Sequence, residues 1–258
     1  MARPLIVAAA ALVPASLAFA SHTAQACSCS APRPHMLSPM REGKAPLNAR
    51  VRVVVPTYLS GQLALRKHDG ADVSVKRIDS PLQSSAHVEL VPDKPLDADT
   101  RYDVAFVNPK EHPSTYIFGT FVTGNALDTT APVAPKIGKA VVNAHRSSMM
   151  TSCAVHTPWV QVPSSGARDP DRDDARLLHA VWMSNSRGVV DLNAPPTAYL
   201  VENDGKIKLG RTSYCDPDEF PLPMAGSVTL SIAAIDEAGN RSAVQRVNFV
   251  IPIPTEAP

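Results

Sequence analysis

Short runs of alternating apolar and polar residues, separated by turn residues, fill the first half of the chain. Arg50-Val51-Arg52-Val53-Val54-Val55, Gln62-Leu63-Ala64-Leu65-Arg66, Val73-Ser74-Val75-Lys76 and Ala86-His87-Val88-Glu89-Leu90-Val91 are the first of these. Arg101–Val107 and Tyr116–Val122 complete the series. A period of two belongs to a strand with one face buried, and no segment sustains the 3.6-residue period of a helix. Asp69-Gly70 predicts a hairpin between the runs at 62–66 and 73–76. Six or seven short strands in about 90 residues specify a β-sandwich or barrel. Residues 30–46 are polar and Pro-containing and read as an arm or an opening strand.

Asp128-Thr129-Thr130-Ala131-Pro132-Val133-Ala134-Pro135 interrupts the pattern and reads as an extended, semi-rigid linker. Strand-like runs resume at 137–144, 158–162, 177–183, 197–202, 206–210, 227–235 and 244–251. Asn203-Asp204-Gly205 is a second hairpin signal. Leu178, Ala180 and Trp182 share one face of their run, which places Trp182 in a core. The expected fold is therefore all-β: two tandem sandwiches, over 35–124 and 136–252, joined by a linker at 125–135 and ending in a tail at 253–258.

Two segments resemble known modules. Val88-Glu89-Leu90-Val91-Pro92-Asp93-Lys94-Pro95-Leu96-Asp97-Ala98-Asp99-Thr100-Arg101-Tyr102-Asp103-Val104, followed by Phe118-Gly119-Thr120-Phe121-Val122-Thr123-Gly124, resembles bacterial Ig-like domains of the S-layer-associated type. The turn Asp236-Glu237-Ala238-Gly239-Asn240-Arg241-Ser242, with its flanking strands, is similar to the F–G hairpin of bacterial Ig-like and fibronectin-III-like modules. Both resemblances imply an Ig-like fold for each half. Neither implies an activity.

The N-terminus changes the picture of where the chain works. Arg3, the apolar Ala-rich stretch Leu5–Phe19 and Ala24-Gln25-Ala26 read as a bacterial secretory leader over 1–26, with cleavage before Cys27 and an arm at 27–34. The expected location is periplasm, cell surface or medium. Cys27 at the first mature position also raises lipidation, although Ala24 and Gln25 depart from a lipobox. No later stretch is long and apolar enough to span a bilayer. In an oxidising compartment disulfides are the default for Cys27, Cys29, Cys153 and Cys215. Three connectivities are open, and Cys153–Cys215, inside the second sandwich, is the favoured one. Pro at 25 of 258 residues with only 12 Gly fits short strands and stiff linkers. Without Arg3 the mature chain carries 24 basic and 24 acidic residues, so no field steers it to nucleic acid.

Candidate chemistry is sparse. There is no Gly-x-Ser-x-Gly, no His-Glu-x-x-His and no phosphate-cradling Gly loop. Asp169, Asp171 and Asp173 present oxygens at alternating positions, a pattern that suits Ca²⁺, without the spacing of an EF-hand. His35 before Leu37-Ser38-Pro39, with Lys110-Glu111-His112 further on, resembles periplasmic copper-resistance proteins of the CopC type, which implies Cu²⁺ held by His35, Glu111 and His112. Cys27-Ser28-Cys29-Ser30 resembles the mature start of tissue inhibitors of metalloproteinases, which implies a zinc-chelating terminus. The leading expectation is a non-catalytic exported binding or scaffold protein, without an obligatory cofactor, presenting Ig-like domains to an envelope protein or glycan. A copper-binding protein is the alternative, and a secreted hydrolase without a recognisable motif the third.

Overall fold

The computed structural model describes residues 33–253 apart from 41–42, 60, 83–84, 109–114, 144–157, 173–176, 185–187 and 211–219. The described residues form sixteen strands and no helix. In the first half these are β1 (His35–Ser38), β2 (Lys44–Ala45), β3 (Val51–Pro56), β4 (Gln62–Lys67), β5 (Val75–Pro81), β6 (Ser85–Pro92), β7 (Arg101–Val107) and β8 (Thr115–Thr123). They build two facing sheets, β1-β3-β6-β5 and β2-β8-β7-β4. With β1, β3, β4, β5, β6, β7 and β8 as strands A to G, the orders are A-B-E-D and G-F-C, the arrangement of an Ig domain. The short β2 adds to the G strand in parallel, pairing Lys44 with Val122. Val51, Val53, Val88, Leu90, Leu65, Val104 and Phe121 fill the space between the sheets.

Tyr102 makes this sandwich's corner. It is 1% exposed at the start of β7, and its ring stacks on Phe121 with centroids 5.5 Å apart. Its hydroxyl oxygen accepts a hydrogen bond from the Asp97 N–H at 2.8 Å, five residues upstream. This is the tyrosine corner of Greek-key sandwiches. Tyr102→Phe keeps the ring and deletes that bond, so urea denaturation should show a loss of about 1 kcal/mol.

The second half contains β9 (Lys136–Ile137), β10 (Val141–Asn143), β11 (Trp159–Ser165), β12 (Leu178–Met183), β13 (Ala198–Val201), β14 (Lys206–Gly210), β15 (Gly226–Ile235) and β16 (Gln245–Ile251). Its sheets are β10-β11-β14, with β9 also on β11, and β13-β12-β15-β16. These read as A-B-E facing C′-C-F-G, again an Ig-like sandwich. Val160, Val162, Val181, Ile207, Leu209, Leu230 and Ile232 form the core.

Both hairpin signals make tight reversals that pair at the turn itself, Arg66 with Asp72 and Asn203 with Lys206, before the strands beyond them part into different sheets. After Asp69-Gly70 the chain leaves β4, which pairs with β7, and enters β5, which pairs with β6 across the sandwich. Asp204 (φ 51°) and Gly205 (φ 69°) turn the chain from β13 in one sheet into β14 in the other. Two-residue turn chemistry fixes a reversal. Which sheet the next strand joins is fixed by burial of its apolar face.

Trp182 is 3% exposed, but it does not lie between the two sheets. With Leu178, Ala180, Tyr199, Ala233 and Ile235 it forms a separate cluster, joined by Val190, Leu192 and, from the first sandwich, Leu37. Its indole N–H donates to the Ala194 carbonyl at 3.0 Å, and the Arg241 guanidinium stands 5.5 Å from its ring centroid. The outer face of β13-β12-β15-β16 is therefore covered as well as the inner one.

Candidate functional site at the junction of the two sandwiches

Strand β3 alternates in sequence, yet all six of its residues are buried. Val51, Val53 and Val55 face the first core. Arg52 points the other way and is 0% exposed, because the second sandwich covers it. Its Nη1 donates to the Asp236 carbonyl at 2.7 Å and its Nη2 to Glu89 Oε1 at 2.8 Å. The guanidinium also lies 5.1 Å from the centroid of the Tyr199 ring. Glu89, from the neighbouring β6, is buried and accepts from the Tyr199 hydroxyl at 3.2 Å. Burial and the Glu89 charge push the Tyr199 phenol up to about 12, so it stays a donor. His87, two residues before Glu89 on the same face, accepts from the Tyr199 N–H through Nδ1 at 3.1 Å. Burial, with His35 adding to it, holds His87 down at about 4.

The turn after β15 closes the junction. The Glu237 carbonyl accepts from the Arg50 N–H at 2.7 Å, its Oε1 accepts from the Met40 N–H at 3.1 Å, and its other oxygen pairs with Arg172. Gly239 (φ 92°) sits against Arg50 so closely that a Cβ there would collide with the guanidinium. The linker is pinned too. Asn48 donates to the Asp128 carbonyl at 2.7 Å and accepts from the Asp128 N–H at 3.0 Å. The Val133 N–H donates to the Arg168 carbonyl at 2.9 Å.

Beside this network three carboxylates meet. Asp128 comes from the linker, Asp169 from the loop after β11 and Asp236 from the end of β15. One oxygen of each lies within 4.8 Å of the others, and all three residues are buried. Burial raises the Asp128 carboxyl above its ordinary range, with Asp169 and Asp171 adding to the effect. Burial pushes Asp236 up to about 6, against hydrogen bonds from Asn240.

The sequence-predicted residues are distributed differently. Asp169 of the acidic run enters this cluster, and Asp171 is exposed at its edge. Asp173 lies outside the described residues. His35 lies on β1, paired in register with Val54. Glu111, His112, Cys27, Cys29, Cys153, Cys215 and the leader also lie outside them. Asp128 and Asp236, at the linker and the F–G turn, were not legible as partners of Asp169. They stand 41 and 67 positions from it in sequence, and only the docking of the two sandwiches brings the linker and the turn together. The excess of Asp at chain reversals was the available signal.

Two constellations resemble hydrolase machinery and differ from it. Ser164 Oγ lies 3.1 Å from His179 Nε2, and Glu202 approaches the same nitrogen at 3.6 Å. A triad needs hydroxyl and carboxylate on opposite ring nitrogens, but here His179 Nδ1 has no partner and Ser164 is buried. His68 Nδ1 meets Asp103 Oδ2 at 2.8 Å, and Thr120 donates to the other Asp103 oxygen. No hydroxyl or thiol among the described residues is hydrogen-bonded at His68 Nε2. A groove of about 480 Å³ beside Tyr102 is charged: Lys67 pairs with Asp97 at 2.5 Å and Asp72 with Arg66 at 2.6 Å, Asp93 accepts from the Ser74 hydroxyl, and Lys94 also lines it.

No protein-family model and no curated protein matches the chain. Among solved structures it is similar to fibronectin(III)-like modules of CbhA from Clostridium thermocellum, at 11% identity over 85% of this chain and 94% of that one, with a TM-score of 0.24. A biofilm-associated protein BSP domain gives 16% identity over 88% of this chain and 30% of that one, at a TM-score of 0.25. Rst D1-D2 gives 14% identity over 84% and 98%, at 0.25. At such scores, strand order and the tyrosine corner carry the fold.

Proposed function

We propose that this chain is an exported, non-catalytic binding or scaffold protein. Its two Ig-like sandwiches act as one rigid unit that holds surfaces and loops at a fixed separation for an envelope protein or glycan. The junction carries this reading. Arg52, Glu89, His87 and Tyr199 bury charge and hydrogen bonds between two sandwiches instead of converging on an open cleft. Domains joined by a small, wet contact move relative to each other; a buried, directional contact resists that motion. The leader-like N-terminus supports export. Among the described residues no helix is long and apolar enough to cross a membrane.

Fractionation of the native host with in-cell cross-linking tests the proposal. The expected result is a mature chain starting at Cys27 in the envelope or medium, cross-linked to an envelope component. A full-length chain in the cytosol, or substrate turnover assignable to the purified protein, overturns it. Intact mass of the same material separates a free Cys27 terminus from a lipid-modified one.

A Cys153–Cys215 disulfide belongs to the same proposal. Trp159 pairs with Gly210, so the chain enters β11 beside the point where it leaves β14. Closing a loop of about 60 residues adds roughly 4 kcal/mol of stability in the chain-entropy account. Non-reducing peptide mapping should give one linked peptide containing Cys153 and Cys215. Either cysteine linked to Cys27 or Cys29 contradicts the pairing.

A further inference from the structure

We propose that Asp128, Asp169 and Asp236 form a Ca²⁺ site that clasps the linker to the second sandwich. Each carboxylate is held by its own turn. Asp128 Oδ1 accepts from the Thr130 N–H at 3.0 Å, and Asp169 Oδ1 from the Asp171 N–H at 2.9 Å. Asp236 accepts from the Asn240 N–H at 2.8 Å and from its side-chain amide at 2.9 Å. The Asn240 side-chain amide also reaches Asp128 Oδ1, at 3.4 Å, and these bonds leave the second oxygen of Asp128 and of Asp169 unused. Asp128 Oδ2 and Asp169 Oδ2 are buried and have no hydrogen-bond partner. The two residues are 6% and 3% exposed. Buried carboxylate oxygens without a partner are costly, and convergence on one point multiplies the cost by mutual repulsion. A cation at the centre removes both penalties.

The donor set selects the ion. Among the described residues the cluster contains carboxylate oxygen and neither imidazole nor thiolate. That is the chemistry of a hard cation, not of Cu²⁺ or Zn²⁺. Donors from three separate segments with irregular spacing suit Ca²⁺, which accepts six to eight oxygens in flexible geometry. Mg²⁺ demands a near-ideal octahedron. Arg172 partly offsets the negative charge at Asp128, but its guanidinium is paired with Glu237. Asp171 stands exposed at the rim, where it adds negative charge without closing the site.

The site's position gives it a consequence. Asp128 is tied to Asn48 of the first sandwich by two hydrogen bonds, and Asp169 and Asp236 belong to the second. A bound ion therefore links both sandwiches through the start of the linker. This inference rests on the two-sandwich unit for its location only. A chain that binds no Ca²⁺ but tumbles as one body loses this inference and keeps that reading.

The test titrates CaCl₂ into the chelator-treated mature chain by calorimetry, with thermal melts in parallel. One saturable site is expected. With a Kd of about 10⁻⁴–10⁻³ M, as in extracellular modules, about 10 mM CaCl₂ should raise Tm by roughly 3–10 °C. Mg²⁺ at the same concentration should give a smaller rise. Asp169→Asn distinguishes a lost ligand from a damaged fold. It removes a buried charge, so the chelator-treated variant should melt at or above the wild-type temperature while losing the Ca²⁺ response. Absence of saturable binding and of a Tm rise in the wild type overturns the proposal, as does an undiminished response in Asp169→Asn.

Discussion

Arg52→Met lowers the stability of the folded chain by about 3–5 kcal/mol, the largest effect expected of any single substitution at the junction. The cost does not come from the lost packing, because methionine fills most of the same volume. It comes from Glu89, whose carboxylate stays buried after its 2.8 Å partner has gone. Arg50 stands farther off, at 3.7 Å from Glu89 Oε1, and is half exposed. The Asp236 carbonyl loses a donor at the same time. Arg52→Met combined with Glu89→Leu removes both charges and should recover most of the loss, since a buried ion pair is worth little against a well-packed apolar pair. Urea denaturation of the two variants checks this. Equal destabilisation of the single and double variants would mean that shape, not charge pairing, holds the junction.

The second large effect is on pH. His87 takes a proton in the folded state only near pH 4, while the unfolded chain takes it near the ordinary value of about 6.5. A folded value below the unfolded one means that stability is full above about pH 6.5. It is lost as pH falls towards 4. The loss attributable to His87 is about 3 kcal/mol between pH 7 and 4. Protonation of Nδ1 also replaces the acceptor of the Tyr199 N–H with a donor, so the loss falls on the junction. His35 acts on this ring and the Tyr199 ring lies 6.3 Å from it, while Asp236, whose carbonyl Arg52 holds in the same junction, titrates in the opposite sense. Burial holds Asp236 near 6, so its protonation stabilises the fold as pH falls through that value. The clean measurement is therefore the stability difference between wild type and His87→Gln, whose amide oxygen can accept the same N–H and does not titrate. That difference should shift by about 3 kcal/mol towards the variant between pH 7 and 4. A difference that stays flat would show that His87 is not buried against the second sandwich.

The strands were legible because a period of two survives in nearly every one of them. Tyr102 was legible near the start of the 101–107 run, but its hydrogen bond to the Asp97 N–H was not. The Asp69-Gly70 and Asn203-Asp204-Gly205 reversals were legible too, but the parting of the strands beyond them into different sheets was not, because turn residues fix reversal and not sheet membership. Arg52 and Glu89 read as the solvent face of alternating strands, and Trp182 as ordinary core. In each case the missing information was the second sandwich, which covers faces that a single sandwich exposes. The same holds for the cluster of Asp128, Asp169 and Asp236. Its members are unremarkable turn residues until docking collects them.

The rigid junction is tested most directly by ¹⁵N relaxation on the mature chain at neutral pH. Amides of β1–β8 and of β9–β16 should fit one common rotational diffusion tensor, with a correlation time set by the mass of the whole chain. Two distinct and shorter correlation times, one for each sandwich, would contradict the account.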